Sequence, residues 1–503
     1  MKAFNLIEEP WIPVRTERGV VEVGLREALL EAHRFERLEA SSPLVEAALT
    51  RVLLAVLHRA YRGPKSESEQ ESIFEEGSFE PAIVGEYLDR WKDRFWLFHP
   101  TTPFWQVPDL PEDDPLPWTK LRPEFAVGNN PTLFDHTYDD APPAATFAEA
   151  ARALVAHQTF TTGGLIRRYG VQSGVGAPLA VSAAFIALGD SLFQTLAQAL
   201  VVYDEADDVP VWEAGPVSLE ELKGDKNKQP SKKVPFFGLT RVYTWLSRGV
   251  RLLIEDEEKV RYMAYGPGVH PVVIEPYLDP MAAYKKNART KELVPVRLRT
   301  DKRFWRDFAA LFPEEGAGVS PRALDSARHV RREAGLNRAL RIKVVGQVTD
   351  QAKVLEIRRE LYPLPVRAQS AALRHYVARA TGLADAAASC LRSAGWKLAS
   401  ELISISRQPD KDEVRSLMES FPLLPHFWNL LGNSFGVYLE MLDSDPDKAW
   451  EHWSGRVNAA AAEAWLLTTR EVGTEARQLK AIQEAERSWR YCMAKEGVSE
   501  RKN

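Results

Sequence analysis

Arg341 to Glu360 reads RIKVVGQVTDQAKVLEIRRE, two runs rich in valine and isoleucine on either side of Thr349-Asp350-Gln351-Ala352. Branched side chains flanking a short polar interruption predict two strands joined by a tight hairpin. Just beyond it the character of the chain changes. Prolines number 29 in residues 1–365 and 4 in residues 366–503. Proline lacks an amide hydrogen and breaks helix interiors, so a boundary is expected near Pro365. Before it, short strand-like runs (Trp11 to Val14, Val20 to Val23, Val242 to Leu246, Arg251 to Ile254, Val294 to Leu298) mix with helical stretches at Pro43 to Tyr61 and Thr146 to Gln158. After it, the chain is rich in Ala, Leu and Glu, and breaks at Gly382, Pro409 to Asp410, Asp443 to Pro446 and Val472 to Thr474. Aspartate and threonine at such breaks start helices, because their side-chain oxygens accept from first-turn amides. The expected fold is therefore α+β: a large irregular mixed domain over 1–365, then an all-α four-helix bundle over 366–503. In the last helix Ala476, Leu479, Ile482 and Trp489 share one face, expected to be core.

The 503 residues are 45% hydrophobic and 27% charged, the balance of a soluble globular protein and not of a disordered or collagenous one. No apolar run reaches the ~18 residues that a membrane span needs, and two acids interrupt the opening residues where a signal peptide has an apolar core. A cytoplasmic location with no membrane partner is expected. Cys390 and Cys492, the two cysteines, are too few for a disulfide framework and are expected to be buried thiols.

Formal charge is −5, which alone argues against a nucleic-acid binder. The charge is polarised, however. Lys285 to Arg359 holds 19 basic and 9 acidic residues, a net +10 inside a remainder of −15. Within it, Lys285 to Arg306 carries 9 basic residues and 2 acids, and a second density runs through Arg322, Arg328, Arg331, Arg332, Arg338, Arg341 and Lys343. Two adjacent basic runs in an acidic protein favour an anionic partner, phosphate above all, over a merely solvated face.

The sequence carries little that marks an enzyme. The ten histidines include no i, i+4 pair, and neither a phosphate-binding Gly-x-x-x-x-Gly-Lys-Ser/Thr loop nor a dinucleotide fingerprint occurs. Gly432-Asn-Ser434-Phe-Gly436 matches a nucleophile elbow, with Asp443 and His452 following in hydrolase order, but it lies in the helical part instead of at a strand-to-helix turn. A hydrolase at Ser434 therefore stands as a minor alternative.

Three loops have the composition of nucleic-acid readers. Asn129 to Asp140, NNPTLFDHTYDD, sets Phe134 beside Asp135 and His136, an aromatic for stacking flanked by hydrogen-bonding groups; the competing reading is a loop anchored by Phe134 in its own core. Thr159 to Gly170, TFTTGGLIRRYG, pairs Gly163 and Gly164, which allow close backbone approach, with Arg167 and Arg168; a simple turn competes. The hairpin tip at Asp350, Gln351 and Ala352 is narrow and polar, and Gln351 both donates and accepts, as a groove-entering wedge requires; an ordinary exposed turn competes.

Together, FNLIEEPWIPV at Phe4 to Val14, the NNPTLFDHT loop, TTGG at Thr161 to Gly164 and DQAKVLEIRR at Asp350 to Arg359 resemble the CasA family, the large subunit of the type I-E CRISPR Cascade complex, over essentially the whole chain. The resemblance implies a non-catalytic subunit of an RNA-guided antiviral complex that recognises the protospacer-adjacent motif in double-stranded DNA and helps lock the opened strands. It implies as partners the DNA target, the guide RNA, other Cascade subunits and a helicase-nuclease effector. Carried over, Phe134, Asp135 and His136 match the loop that meets the guide RNA end and motif-proximal DNA. Gly163 and Gly164 match the glycine loop at the motif, Gln351 with Asp350 and Ala352 the wedge beneath it, and Lys285 and Lys286 a lysine pair on the DNA backbone. Arg297, Arg299, Arg303 and Arg306 extend the expected phosphate-binding set. Some relatives have cysteines suggestive of structural zinc; this chain lacks them, so no metal or cofactor is expected. Where some place a motif-reading lysine, this chain has Tyr265-Gly-Pro-Gly-Val-His270, with His270 a weak substitute. The alternative is a purely structural scaffold subunit of a ribonucleoprotein without direct DNA reading.

Overall fold

The computed structural model describes residues 2–498 except 126–141, 205, 207, 257, 337 and 405–407. The chain forms two compact units, one of Met1–Phe304 with Pro313–Tyr362, the other of Trp305–Phe312 with Pro363–Asn503. A single cut at Pro365 has no place for Trp305–Phe312, an excursion of the chain into the second unit that composition does not signal.

The first unit is built round the helix Pro43–Tyr61. Fifteen of its nineteen residues are buried, so it is an interior helix without a polar face. The helices Pro81–Trp91 and Phe147–Phe160 pack on it. Its buried polar groups need partners, because water cannot reach them. Arg51 pairs with Asp279 at 2.7 Å and lies 4.2 Å from the Tyr243 ring centre. Glu46 receives Lys343 at 2.6 Å, and His58 Nδ1 meets the Gly63 carbonyl at 2.8 Å. Around this core the strands form small separate sheets. In one, Leu340–Asp350 lies between Ala184–Leu188 and Lys353–Leu364; in another, Arg248–Asp256 pairs with Lys259–Pro267 through two register shifts. The helix Phe147–Phe160 starts at a capping box in which Thr146 and Glu149 each accept from the other's amide.

The strand expected at Val242 to Leu246 is instead the end of the helix Leu239–Tyr243 and the turn after it. Asp208 accepts from the Thr240 and Arg241 amides and the Thr240 hydroxyl, which closes the helix start. A fully buried apolar run does not distinguish strand from short helix by periodicity.

Among the described residues of the second unit the helices are Ser370–Ser404, Lys411–Ser420, Leu423–Leu442, Pro446–Val472 and Ala476–Lys495, four long and one short. Asp410 and Asp445 cap their helices as expected of aspartate at a break. The expected break at Gly382 is absent. The helix runs through it with the glycine facing open space, where its penalty of about 1 kcal/mol is readily absorbed. In the last helix the buried stripe is Ala481, Ala485, Trp489 and Met493, while Ala476 and Leu479 are exposed. Trp305 sits among Phe435, Trp428 and Trp453, with ring centres 5.2 to 5.8 Å apart; burying an indole of this size accounts for the excursion of its segment into this core.

The cysteines correct a further expectation. Cys390 and Cys492 form a disulfide between the helices Ser370–Ser404 and Ala476–Lys495, with Cα atoms 5.6 Å apart. Two thiols separated by 102 residues carry no pairing signal in sequence, and helix packing brings them together.

Candidate nucleic-acid interface

At the end of the helix Phe147–Phe160 the chain turns into the strand Gly164–Arg168, which pairs with Val171–Gly174. The turn is held from beneath. Arg248 is 3% exposed; its Nη2 donates to the Thr162 carbonyl at 2.6 Å, and its Nη1 to the Val175 and Ser247 carbonyls at 2.8 and 2.6 Å. A Cβ on Gly174 would lie 2.9 Å from the Arg248 guanidinium carbon, so this glycine makes room for the arginine. Neither Arg248 nor Gly174 carries a motif, and sequence reading missed both.

The hairpin tip comes to the same place. Thr162 Oγ1 donates to the Ala352 carbonyl at 3.0 Å, and a Cβ on Gly164 would stand 3.3 Å from the Ala352 side chain. One on Gly163 would meet the Gly176 amide at 3.1 Å. The two glycines thus allow loops of the same chain to close on one another. Farther down, buried Gln347 donates to the Phe160 carbonyl at 2.6 Å and the Ala180 carbonyl at 2.8 Å, joining the hairpin strand to the helix that leads into the glycine turn. At the tip Gln351 is exposed and left-handed, with φ 52°. That conformation costs a non-glycine residue about 1 kcal/mol.

Both loops line a cleft of about 650 Å³ whose other wall includes Lys120, Arg122, Glu124, His157 and Tyr265. His157 Nε2 lies 3.0 Å from the Tyr265 hydroxyl. Burial, assisted by the charge of Arg248, lowers its pKa to about 3, so the imidazole is neutral near pH 7 and acts as a brace. The Lys120 ammonium stands 5.1 Å from the Tyr265 ring centre. His270 lies on the short strand His270–Val272, paired with Lys233–Pro235, and does not line this cleft.

The basic residues divide into exposed and committed groups. Lys285 and Lys286 are exposed on the strand Tyr284–Lys286, with Lys286 Nζ 3.3 Å from the Gly316 carbonyl. Arg297 and Arg303 are also exposed. Arg299 holds Asp301 through two nitrogens at 3.0 and 3.1 Å. Arg306, in the second unit, pairs with Asp385 at 3.2 Å over the Trp428 ring at 3.8 Å. Arg168 pairs with Asp114 at 2.5 Å. In the second basic density Arg328, Arg331 and Lys343 are buried, so that run is partly a core feature and not wholly a surface charge. Phe134, Asp135 and His136 lie outside the described residues. The Ser434 alternative does not assemble: its hydroxyl meets the Leu430 carbonyl and Arg456 Nε, and Asp443 accepts from the amides of Val366, Arg367 and Ala368. No helix among the described residues is long and apolar enough to cross a membrane.

A family model described as CRISPR-associated protein Cse1 matches residues 5–476. A CRISPR-associated protein CasA/Cse1 of Thermus thermophilus is 44% identical over 497 residues, 97% of each chain. A solved structure of Thermus thermophilus CasA (Cse1) superposes with a TM-score of 0.88 at 41% identity, over 98% of this chain and 100% of that one. Cse1 of Thermobifida fusca shares the fold, with a TM-score of 0.79 at 24% identity over 99% of each chain.

Proposed function

The chain belongs to the CRISPR-associated protein Cse1 family, and from that premise we propose that this subunit of a CRISPR surveillance complex reads the protospacer-adjacent motif in duplex DNA and starts strand separation. The observation that carries the reading is the meeting of the glycine turn and the hairpin tip, joined by the Thr162 to Ala352 hydrogen bond at a cleft edge. A rigid, narrow, polar edge of this kind suits entry into a groove. Gly163, Gly164, Asp350 and Ala352 shape it, and Gln351 projects from it to hold the first base pair apart. The guide RNA then pairs with the freed strand, so that protein contacts supply the nucleation and base pairing the sequence specificity, as in other RNA-guided effectors.

Lys285, Lys286, Arg297 and Arg303 supply sequence-independent attraction to phosphate. Arg299 and Arg306, held by carboxylates, contribute less. Phe134, Asp135 and His136 meet the guide RNA end and motif-proximal DNA. The subunit itself cleaves nothing and recruits a helicase-nuclease.

The test is binding and opening of matched duplexes, with and without a candidate motif, by the guide-loaded complex reconstituted with and without this chain at fixed salt. Motif-dependent opening that needs the chain, and that Gln351→Ala reduces more than initial binding, supports the reading. Opening unchanged without the chain replaces it with the scaffold alternative.

A further inference from the structure

The strand Gly164–Arg168 leaves the glycine turn and ends in a two-residue hairpin turn, Tyr169 and Gly170, both left-handed as a tight turn of this kind requires. A register shift between Leu165 and Arg168 sets Arg167 out of the ladder, with φ 51°. A second segment closes on this end. The Gly224 amide donates to the Tyr169 carbonyl at 2.9 Å and the Gln172 amide to the Lys228 carbonyl at 3.1 Å. A Cβ on Gly224 would collide with the Gly170 carbonyl, so glycine allows the approach. Within the segment Asp225 accepts from the Asn227 and Gln229 amides at 2.7 and 3.2 Å, and Lys228 is itself left-handed, with φ 57°.

The corner so formed is cationic. Residues 167–172 and 220–233 together hold seven basic and three acidic side chains, a density that counting along the chain does not reveal because the two segments are remote in sequence. The three acids are taken, Glu220 by Lys223, Glu221 by Lys232 and Asp225 by Lys233. Arg168 holds Asp114, and exposed Asp113 lies near Tyr169. Arg167 and Lys228 are exposed, and neither has an ion pair among the described residues. With Gly170, Val171 and Gln172 they line an open pocket of about 300 Å³.

We propose that Arg167 and Lys228 bind the phosphodiester backbone of the closed duplex that flanks the recognised motif. The site rests on the reading of the chain as a motif reader and extends it to DNA that stays paired. Arg167 follows Gly164 by three strand residues, about 10 Å at the rise of a strand. A turn seated in a minor groove about 6 Å wide has a backbone on either side within such a reach. The strand carries Arg167 out of the cleft that Gln351 lines, away from the base pair that the wedge parts. Two cations from separate segments, beside the exposed Gln172 amide, suit a group with several acceptor oxygens and select no base.

The test uses the guide-loaded complex reconstituted with wild-type chain, Arg167→Ala/Lys228→Ala or Arg167→Lys/Lys228→Arg. Its duplexes, with and without the motif, either end just beyond the motif position or extend past it by one helical turn, about 10 base pairs. On extended duplexes the alanine variant lowers the slope of log affinity against log salt by about two units, on short ones it leaves the slope unchanged, and motif preference is kept on both. The charge-keeping variant retains the wild-type slope throughout. Should the alanine variant melt below wild type, Arg167→Gln/Lys228→Gln is expected to show the same loss on extended duplexes alone. An unchanged slope on extended duplexes overturns the site, and so does an equal fall on both, which places the anion on guide RNA or a partner subunit. Either result, with binding that still needs the chain, removes only this site; binding that never needed the chain removes the motif-reading assignment as well.

Discussion

Replacing Arg248 by methionine isolates what holds the glycine turn in position. The guanidinium donates to three carbonyls, of Thr162, Val175 and Ser247, at 2.6 to 2.8 Å, and is almost wholly buried. Methionine fills a comparable space but donates nothing. Each carbonyl left unsatisfied costs about 1–3 kcal/mol, against which stands the relief of no longer burying a charge. The net loss expected for Arg248→Met is about 2–4 kcal/mol, below the simple sum because the three bonds share one donor group. Chemical denaturation of the isolated chain measures it. Two further readouts separate this from generic destabilisation. Arg248 helps keep His157 neutral, so the His157 pKa, followed by NMR, rises in the variant. Motif-dependent opening by the reconstituted complex falls, since the freed turn no longer registers with Ala352. Arg248→Lys restores part of the stability, but a point charge cannot span three carbonyls as the planar fork does. A variant within about 1 kcal/mol of wild type that keeps full opening and an unshifted His157 would refute the argument that this arginine organises the site.

At the hairpin tip, Gln351→Gly relieves the left-handed strain of about 1 kcal/mol but adds unfolded-state entropy of similar size. Its stability should therefore stay near wild type while opening is lost; a complex that opens duplexes normally with glycine there removes the wedge. His58 and His157 have pKa values lowered by burial to about 4 and about 3. Their contribution to stability is complete above the unfolded value of ~6.5 and is lost as pH falls toward the folded values, by about 1.4 kcal/mol per pH unit for each. Urea midpoints compared at pH 7.5 and pH 5 check this, and a pH-independent midpoint in that range contradicts it. Reducing the Cys390 to Cys492 bridge releases a closure of 102 residues, for which chain entropy gives an upper figure of ~4.7 kcal/mol. A lower melting temperature with reductant, absent in Cys492→Ser, is the expected outcome. Among the arginines, Arg303→Ala should lower the salt slope of duplex binding by about one unit, and Arg299→Ala by less because Asp301 already holds it; equal effects would show that the ion pair does not compete with phosphate.

What the sequence determined by itself is whatever depends on neighbours along the chain. Strands flanking Gln351, the helix starts after Thr146, Asp410 and Asp445, and the interior helix at Pro43–Tyr61 follow from side-chain shape, capping within one turn and local apolar density. The glycine turn and the hairpin tip were also legible, each as a separate loop. That they form one edge was not, because the bond from Thr162 to Ala352 joins residues 190 positions apart. The same holds for Arg248 beneath the turn, for Lys120 over Tyr265, for the disulfide, and for Trp305 in the second unit's core. Charge counting failed in a characteristic way: Lys343 and Arg331 count as basic in sequence, yet folding buries both, Lys343 against Glu46. Local preference selects elements; only packing decides which charges meet solvent, because burying a charge is tolerable where a distant residue compensates it.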